Sequence, residues 1–168
     1  MYEKEPAKSY RYNDPQDADL GKILDPRHTA LLMIDMQNDF CDKEGKFAQA
    51  GRDASDVIRI VPRCKELLES ARSANVMVVH IQQSTLPGQQ SDNGGWLAFK
   101  TRDGKAPTYA TVNTWGWEHI DALKPHNDGE DGRYFEPVVL KFRPDGFLYT
   151  QLDLILRANG IESVVCCG

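Results

Sequence analysis

Two charged side chains of opposite sign follow short apolar runs, and both could take part in proton transfer. Asp35 comes directly after the apolar residues 30–34, and Lys141 follows the apolar residues 138–140. An acid and an amine held together in a cleft perturb each other's pKa, as a catalytic pair requires, although structural ion pairs do the same. Such a pair still needs a nucleophile, and Cys166 and Cys167 are candidates because they end a predicted strand that runs into a glycine turn, where α/β enzymes commonly present one. Cys64 falls on the apolar stripe of a predicted helix and is interpreted as a core residue.

The run before Asp35 predicts a strand. Residues 30–34 are apolar without alternation, which is typical of a strand buried on both faces of a parallel sheet. Ligands of open α/β sheets bind beyond the carboxyl ends of the strands, so Asp35 has a functional interpretation. The segment supports equally well that Asp35 caps the turn or helix that follows.

Other segments supply the elements that would position the pair. Apolar, β-branched residues predict three further strands: 75–81, 136–142 and 161–167. Apolar residues that recur at three- and four-residue steps predict a helix that ends near Asn75, with Pro62 in its first turn. A second helix is predicted between the last two strands. The order of strand, helix and strand implies a parallel α/β sheet, in which neighbouring strands bring Asp35 and Lys141 to one edge.

The second predicted strand carries two polar residues. His80 lies inside the strand, where a lone histidine is interpreted as a hydrogen-bonded core residue. Gln83 follows at the carboxyl end, on the same edge as Asp35, and is a candidate for hydrogen-bonding a small polar substrate, with a surface glutamine as the alternative. Residues 84–114 form a long polar loop, typical of a lid, a binding loop or a subunit contact.

Length and composition limit the class of protein. The 168 residues suit one domain, which we assign to residues 26–168, after an N-terminal arm at residues 1–25 that either packs on a partner subunit or frays. A net charge of −5 without a basic cluster argues against nucleic-acid binding. The sequence shows neither a secretory signal nor an apolar stretch of the roughly 18 residues that a membrane helix needs. Scattered cysteines without CxxC spacing predict a cytoplasmic protein.

Several motifs together resemble the isochorismatase-like cysteine hydrolases. The resemblance covers nearly the whole chain after residue 25. Its most specific parts are Ile34-Asp35-Met36-Gln37 and Lys141 followed by Gly146-Phe147, Thr150, Leu152-Asp153 and Leu156-Arg157. The resemblance implies a three-layer, Rossmann-like parallel α/β sheet with flanking helices, and a triad of Asp, Lys and Cys that uses no cofactor. Asp35 would be the base that takes the thiol proton, and Lys141 would orient and electrostatically support the site.

The chain departs from the family pattern at its end. The family's cysteine lies a few residues beyond the glycine that matches Gly168, and Cys167 matches an ordinary strand residue. We therefore do not assign Cys167 as the nucleophile, and we expect the sheet to be truncated after its fourth strand, with the catalytic cysteine beyond residue 168. The fragment alone is expected to lack hydrolase activity and to expose the apolar edge of its fourth strand.

The resemblance also bears on the substrate. Nicotinamidases of the family carry a metal site of aspartate and histidines after the second strand, and residues 80–90 lack such a cluster, so no metal is expected. Residues 142–161 look closest to the amidohydrolases of ureidoacrylate, carbamoylsarcosine, biuret and triuret, which implies cleavage of a C–N bond in a small ureide or linear amide by a homo-oligomer. The predicted pocket has apolar walls from Phe40, Trp115 and Phe147 and hydrogen bonds from Gln83 and Tyr149, each with a packing alternative.

Three other interpretations stay open. The protein could be a catalytically inactive family member that binds a ligand, or an isochorismatase-type hydrolase of another small substrate. It could also be an unrelated flavodoxin-like nucleotide-binding domain, although no glycine-rich phosphate loop follows the first strand. A cysteine on the turn after Gly168 would distinguish the enzyme from the binding protein.

Overall fold

One parallel sheet organises the chain. A computed structural model describes residues 19–102, 104, 108–127 and 135–168, so most of the predicted N-terminal arm lies outside the described residues. The strands are β1 (Thr29–Ile34), β2 (Met77–Gln83), β3 (Val138–Lys141) and β4 (Ser163–Cys167). All adjacent pairs are parallel, in the order β3-β2-β1-β4. This order agrees with the Rossmann-like prediction and differs from the flavodoxin-like order, in which the third strand pairs with the first.

Helices cover both faces of the sheet and complete the three predicted layers. The described helices are α1 (Leu20–Ile23), α2 (Asn38–Cys41), α3 (Lys46–Gln49), α4 (Ser55–Ser73), α5 (Gly94–Lys100) and α6 (Leu152–Ala158), with 3₁₀ turns at Pro87–Gln89, Trp115–Trp117 and Asp121–Leu123. Among the described residues, no helix is both long enough and apolar enough to cross a membrane.

Strand β1 is buried on both faces, as its unbroken apolar run predicts. Successive strand side chains point to opposite faces of a sheet. Leu31 and Met33 accordingly pack in one core with α4, whereas Ala30 and Leu32 pack in a second core with α6. The position of Asp35 at the end of β1 is therefore held by two separate apolar cores.

The position predicted for Pro62 is wrong. Helix α4 begins at Ser55, so Pro62 lies well inside it and not in the first turn. Proline removes one helical hydrogen bond, and interior positions are normally costly. Pro62 is exposed, while Cys64 and Leu68 of the same helix are buried, and we attribute the continuity of α4 to that packing.

The loop predicted at 84–114 contains α5. Its first residues, Gly94 and Gly95, are poor helix formers and conceal the helix in the sequence. The side chain of Asn93 caps the helix by accepting a hydrogen bond from the Trp96 N–H at 2.9 Å. At the other end of α5, the buried Lys100 pairs with Asp92, with Nζ 2.8 Å from the carboxylate. Tertiary contacts therefore stabilise a helix that local preference disfavours.

Candidate active site

The carboxyl ends of β1 and β4 form the edge of the sheet at which the strand order reverses. β2 and β3 extend from one side of β1, and β4 pairs with the other side. Ligands of open α/β sheets bind at such a reversal point. Gly168, with φ of +146°, lies so close to the Ile34 carbonyl that a Cβ atom would overlap it. The chain that leaves β4 therefore passes directly beside the residue before Asp35.

Asp35 and Lys141 meet at this edge, as predicted. The Nζ of Lys141 lies 2.8 Å from Oδ2 of Asp35. The prediction that their strands are neighbours is wrong, because β2 lies between β1 and β3. Gln83 at the end of β2 is the register partner of Lys141. The flexible four-carbon stem of lysine spans the end of β2 and makes the contact possible.

The Asp35 carboxylate has two inequivalent oxygen atoms. Oδ2 contacts Lys141, whereas Oδ1 is buried and lacks a hydrogen bond of standard geometry among the described residues. The backbone N–H of Gln83 is nevertheless near enough to the carboxylate to lower its pKa. Gln37, not Asp35, is the N-cap residue of α2, so the interpretation of Asp35 as a helix cap is wrong. A buried acceptor without a partner costs free energy unless a ligand or a proton donor reaches it. The arrangement leaves one carboxylate oxygen available for proton transfer.

Burial and charge act in opposite directions on Asp35. Burial raises the pKa of Asp35 above its ordinary value, and the Lys141 ammonium opposes that rise. Lys141 is only 4% exposed, and its Nζ also donates to the Pro144 carbonyl at 3.3 Å. The backbone of Asp35 is left-handed, with φ of +56°. Residues held in this region concentrate at functional sites, since the surrounding structure must compensate for their cost.

The three polar residues after Met36 hold the surrounding loops, and the sequence analysis assigned none of them a role, although Gln37 belongs to the family motif. The Gln37 side chain bonds to Gln83 and to the Trp117 carbonyl. Asn38 Nδ2 donates to the Trp115 carbonyl at 2.7 Å. The Asp39 carboxylate accepts from the backbone N–H groups of Lys46 and Ala110, at 3.1 and 2.7 Å. Their signal in the sequence is a run of polar residues directly after a buried strand.

The five predicted substrate residues lie in different surroundings. Gln83 is 4% exposed, and its side-chain Nε2 donates to the Ser84 carbonyl at 3.1 Å. The half-buried ring of Phe40 packs edge-on against Phe47 and Tyr109, with ring centres 5.7 and 5.4 Å away.

The other three predicted residues are more exposed. Trp115 and Phe147 are about half exposed, at 50% and 51%, and Tyr149 is 95% exposed. Of the first two residues, Gln83 lies opposite Lys141 in the register of β2 and β3. A substrate role for each of the five stays a prediction.

None of the four cysteines has the surroundings of a nucleophile. Burial raises the pKa of Cys41 to about 12, and that of Cys167 likewise to about 12. The Cys167 thiol donates to the Met33 sulfur at 3.2 Å, on the α4 face of the sheet. Cys64 is buried in the same core. Cys166 is exposed but pairs with Leu32 inside the sheet, short of the edge where Asp35 lies.

Histidines and carboxylates do not form a metal site in the part of the chain that the structure describes. No group of three His, Cys, Asp or Glu side chains there is placed to hold an ion. His80 is fully buried, with Nε2 2.9 Å from the Glu136 carboxylate. The interpretation of His80 as a hydrogen-bonded core residue is therefore confirmed.

Comparisons with known proteins show which proteins this chain is similar to. The chain is 32% identical over 155 residues to the ureidoacrylate amidohydrolase RutB of Caulobacter segnis, covering 86% of this chain and 62% of that protein. It also resembles a cysteine hydrolase from Pseudomonas syringae pv. phaseolicola, with a TM-score of 0.69 and 27% identity over 87% of this chain and 61% of the other. The N-carbamoylsarcosine amidase of Thermoplasma acidophilum gives a TM-score of 0.60 and 27% identity, over 83% of this chain and 66% of the other.

The matched region extends over most of this chain and part of its relatives. The chain spans about three fifths of the length of the curated relatives it matches (62% of the Caulobacter segnis protein). The profile described as Isochorismatase domain matches residues 29–168. The chain belongs to the isochorismatase family.

Proposed function

We propose that the whole protein is a cysteine amidohydrolase that cleaves a C–N bond of a small ureide or linear amide. The observation that carries the proposal is the contact of 2.8 Å between Lys141 Nζ and Asp35 Oδ2 at the reversal point of the sheet. Relatives named ureidoacrylate amidohydrolase and N-carbamoylsarcosine amidase support a ureide as the substrate class. The free cysteines support action in the cytoplasm, and we further propose a homo-oligomer.

The proposed nucleophile is a cysteine beyond residue 168. Gly168 lies against the Ile34 carbonyl, so the segment that follows it starts beside Asp35. The thiol would transfer its proton to Asp35, and the thiolate would attack the carbonyl carbon of the substrate. Asp35 would return the proton to the nitrogen as the C–N bond breaks. Water would then hydrolyse the acyl-enzyme, which is a thiocarbamate from a ureide or a thioester from an amide, and the thiol would regain its proton.

Asp35 and Lys141 have distinct roles in this scheme. The pKa of Asp35 is raised by burial, which favours a carboxyl group that accepts and then releases a proton. The ammonium of Lys141 holds Oδ2 and leaves Oδ1 for the thiol. Backbone N–H groups next to the cysteine would bind the oxyanion. Phe40, Trp115 and Phe147 are proposed as pocket walls, with Gln83 and Tyr149 as hydrogen-bonding residues.

A catalytically inactive binding protein is the second candidate. The observation in its favour is that no hydrogen bond joins a described thiol to the Asp35 carboxylate. Cys41 Sγ lies 4.0 Å from the Asp35 backbone carbonyl, and burial raises the pKa of that thiol to about 12, so the proposed chemistry depends on a residue outside the described structure. In an inactive member, the Asp35–Lys141 pair would serve as an ion pair that binds a polar ligand. The residue at the position of the family's cysteine distinguishes the two candidates, together with a test of turnover.

The decisive experiment screens the whole protein against a panel of ureides and amides for ammonia release. The panel contains ureidoacrylate, N-carbamoylsarcosine, biuret and a simple primary amide. Turnover of at least one ureide, with loss of activity on alkylation of a single cysteine, is the expected result. Binding of ureides without ammonia release would support the inactive binding protein and contradict the enzyme.

A further inference from the structure

The buried side chain of Gln37 binds the main chain of Gln83 at two points. Its Oε1 accepts a hydrogen bond from the Gln83 N–H at 2.9 Å, and its Nε2 donates to the Gln83 carbonyl at 2.9 Å. Nε2 also donates to the Trp117 carbonyl at 2.7 Å. Gln37 is 0% exposed, so water cannot replace these bonds. The side-chain amide of Gln37 therefore pairs with the Gln83 main chain at the end of β2, as the backbone of a neighbouring strand would.

The position of Gln83 determines how far apart Asp35 and Lys141 lie. β2 lies between β1 and β3, and the Gln83 backbone is the register partner of Lys141. On the other side, the Asp35 N–H donates to the Ile81 carbonyl of β2 at 2.9 Å. Gln37 follows Asp35 by two residues. The same short turn therefore carries both the Asp35 carboxylate and the Gln37 amide that binds the end of β2. A shift of the β2 end would change the separation of the pair.

We propose that Gln37 is a positioning residue of the active site, which holds the end of β2 so that Lys141 reaches Asp35. The inference rests on the proposed function, because it assigns a role within that site. Geometric errors of about 1 Å at a reacting group can cost on the order of a hundredfold in rate. Removal of the Gln37 amide is therefore expected to lower kcat at least tenfold while leaving the fold in place.

Gln82 provides a matched control. It is the neighbouring residue on β2, it is 4% exposed, and its Nε2 donates to the same Trp117 carbonyl at 2.7 Å. The substitutions Gln37→Met and Gln82→Met each remove a buried amide and one bond to that carbonyl, at nearly constant side-chain volume. Only Gln37→Met also releases the main chain of Gln83. The difference between the two variants isolates the positioning effect.

The pH profile provides a readout that lost stability alone does not move. Lys141 lowers the pKa of Asp35, so its displacement should raise that pKa and shift the acid limb of kcat/KM to higher pH. Cys41 and Tyr109 also lie within electrostatic reach of Asp35, and burial raises the pKa of both, so both stay neutral near pH 7. The acid limb should therefore follow the Asp35–Lys141 pair.

The experiment compares kcat, KM, Tm and the pH profile of the whole protein and both variants. We expect a larger loss of Tm in Gln37→Met, because it also leaves the Gln83 N–H and carbonyl unpaired, and a lower kcat with a shifted acid limb only in that variant. Equal kinetic effects in both variants, or an unchanged profile in Gln37→Met, would overturn the proposal. Should Gln37→Met not fold, Gln37→Asn replaces it, because the shorter amide cannot reach both Gln83 atoms.

Failure of the proposed function can be recognised separately. If the wild-type protein hydrolyses neither a ureide nor an amide of the panel, the proposed function fails. The positioning role is then tested without turnover, by NMR titration of the Asp35 carboxyl carbon. A higher Asp35 pKa in Gln37→Met than in Gln82→Met supports the role, and equal values contradict it.

Discussion

Lys141 Nζ contacts Asp35 Oδ2 at 2.8 Å although a whole strand, β2, lies between the two residues. The contact unites the ends of three strands at one edge. Because Lys141 is buried, its charge is stable there only with acceptors at hand, and Asp35 and the Pro144 carbonyl provide them. Tests of the site should therefore separate the chemistry of this pair from its contribution to stability.

Substitution of the carboxylate tests the proposed base. Asp35→Asn should lower kcat by about a hundredfold or more, because general base catalysis contributes on the order of 10²–10⁴ in rate. Rates of ammonia release measure the effect, and circular dichroism checks the fold. Asp153→Asn is the control, since Asp153 is an exposed carboxylate on α6 that pairs with Arg157. An unimpaired rate in Asp35→Asn would remove Asp35 from the mechanism.

Removal of the ammonium tests the electrostatic role of Lys141. Lys141→Met should raise the pKa of Asp35 further, because burial then acts without the opposing charge. The acid limb of kcat/KM should move to higher pH, and NMR titration of the Asp35 carboxyl carbon should report the same direction. Lys124→Met, at an exposed residue paired with Asp121, serves as the control and should leave the titration unchanged. An unchanged Asp35 pKa in Lys141→Met would contradict the role.

The lowered pKa of His119 leads us to expect that the folded state loses stability in mild acid. Burial, together with the charges of His80 and Lys124, lowers the pKa of His119 from 6.5 to about 4. The folded state keeps His119 neutral while the unfolded state binds a proton, so stability is fully present above pH 6.5 and is lost as the pH falls toward 4. The loss attributable to this residue is about 3 kcal/mol, at roughly 1.4 kcal/mol per pKa unit.

Urea unfolding of wild type and His119→Phe at pH 7 and pH 4 measures this effect. Phenylalanine keeps a ring next to His80, whose own ring centre lies 5.2 Å from that of His119. The free energy of unfolding should depend less steeply on pH in the variant. Parallel pH profiles for the two proteins would show that His119 is not responsible.

The buried carboxylate of Glu136 is expected to stabilise the junction of α4 and β3. Its oxygens lie 2.7 and 2.9 Å from the Arg72 guanidinium, and 2.9 Å from His80 Nε2. Burial would raise the pKa of Glu136, but the hydrogen bonds from Arg72 and His80 outweigh it and lower the pKa to about 2. This contribution is present above pH 4.5 and is lost as the pH falls toward 2.

Glu136→Gln should therefore destabilise the fold by about 3–5 kcal/mol near pH 7, because it leaves Arg72 buried without its main counter-charge. Glu69→Gln is the matched control. Glu69 pairs with the same guanidinium at 3.3 Å, but its side chain is 53% exposed, so about 1 kcal/mol or less is expected. Chemical unfolding of both variants gives the comparison, and equal losses would contradict the dominance of the buried pair.

Local sequence patterns predicted the strands and helices well where an element buries one face or both faces against the core. The apolar run before Asp35 and the runs before Gln83 and Lys141 are strands in the structure. Helix α5 was missed, because its glycines oppose a helix and its stability comes from Asn93 and the Lys100–Asp92 pair. Contacts between residues that are close only in space leave little trace in a local sequence pattern. A helix that such contacts stabilise against its local preference is therefore hard to predict.

The sequence by itself determined the fold class and the acid and amine of the candidate site, because apolar periodicity reports burial and the family motifs include Asp35 and Lys141. Only the tertiary structure decided that β2 separates their strands, that Gln37 holds the end of β2, and that Tyr149 lies in solvent. The physical reason is that strand order and side-chain contacts depend on pairing between distant segments, whereas a local pattern shows only which side chains avoid water.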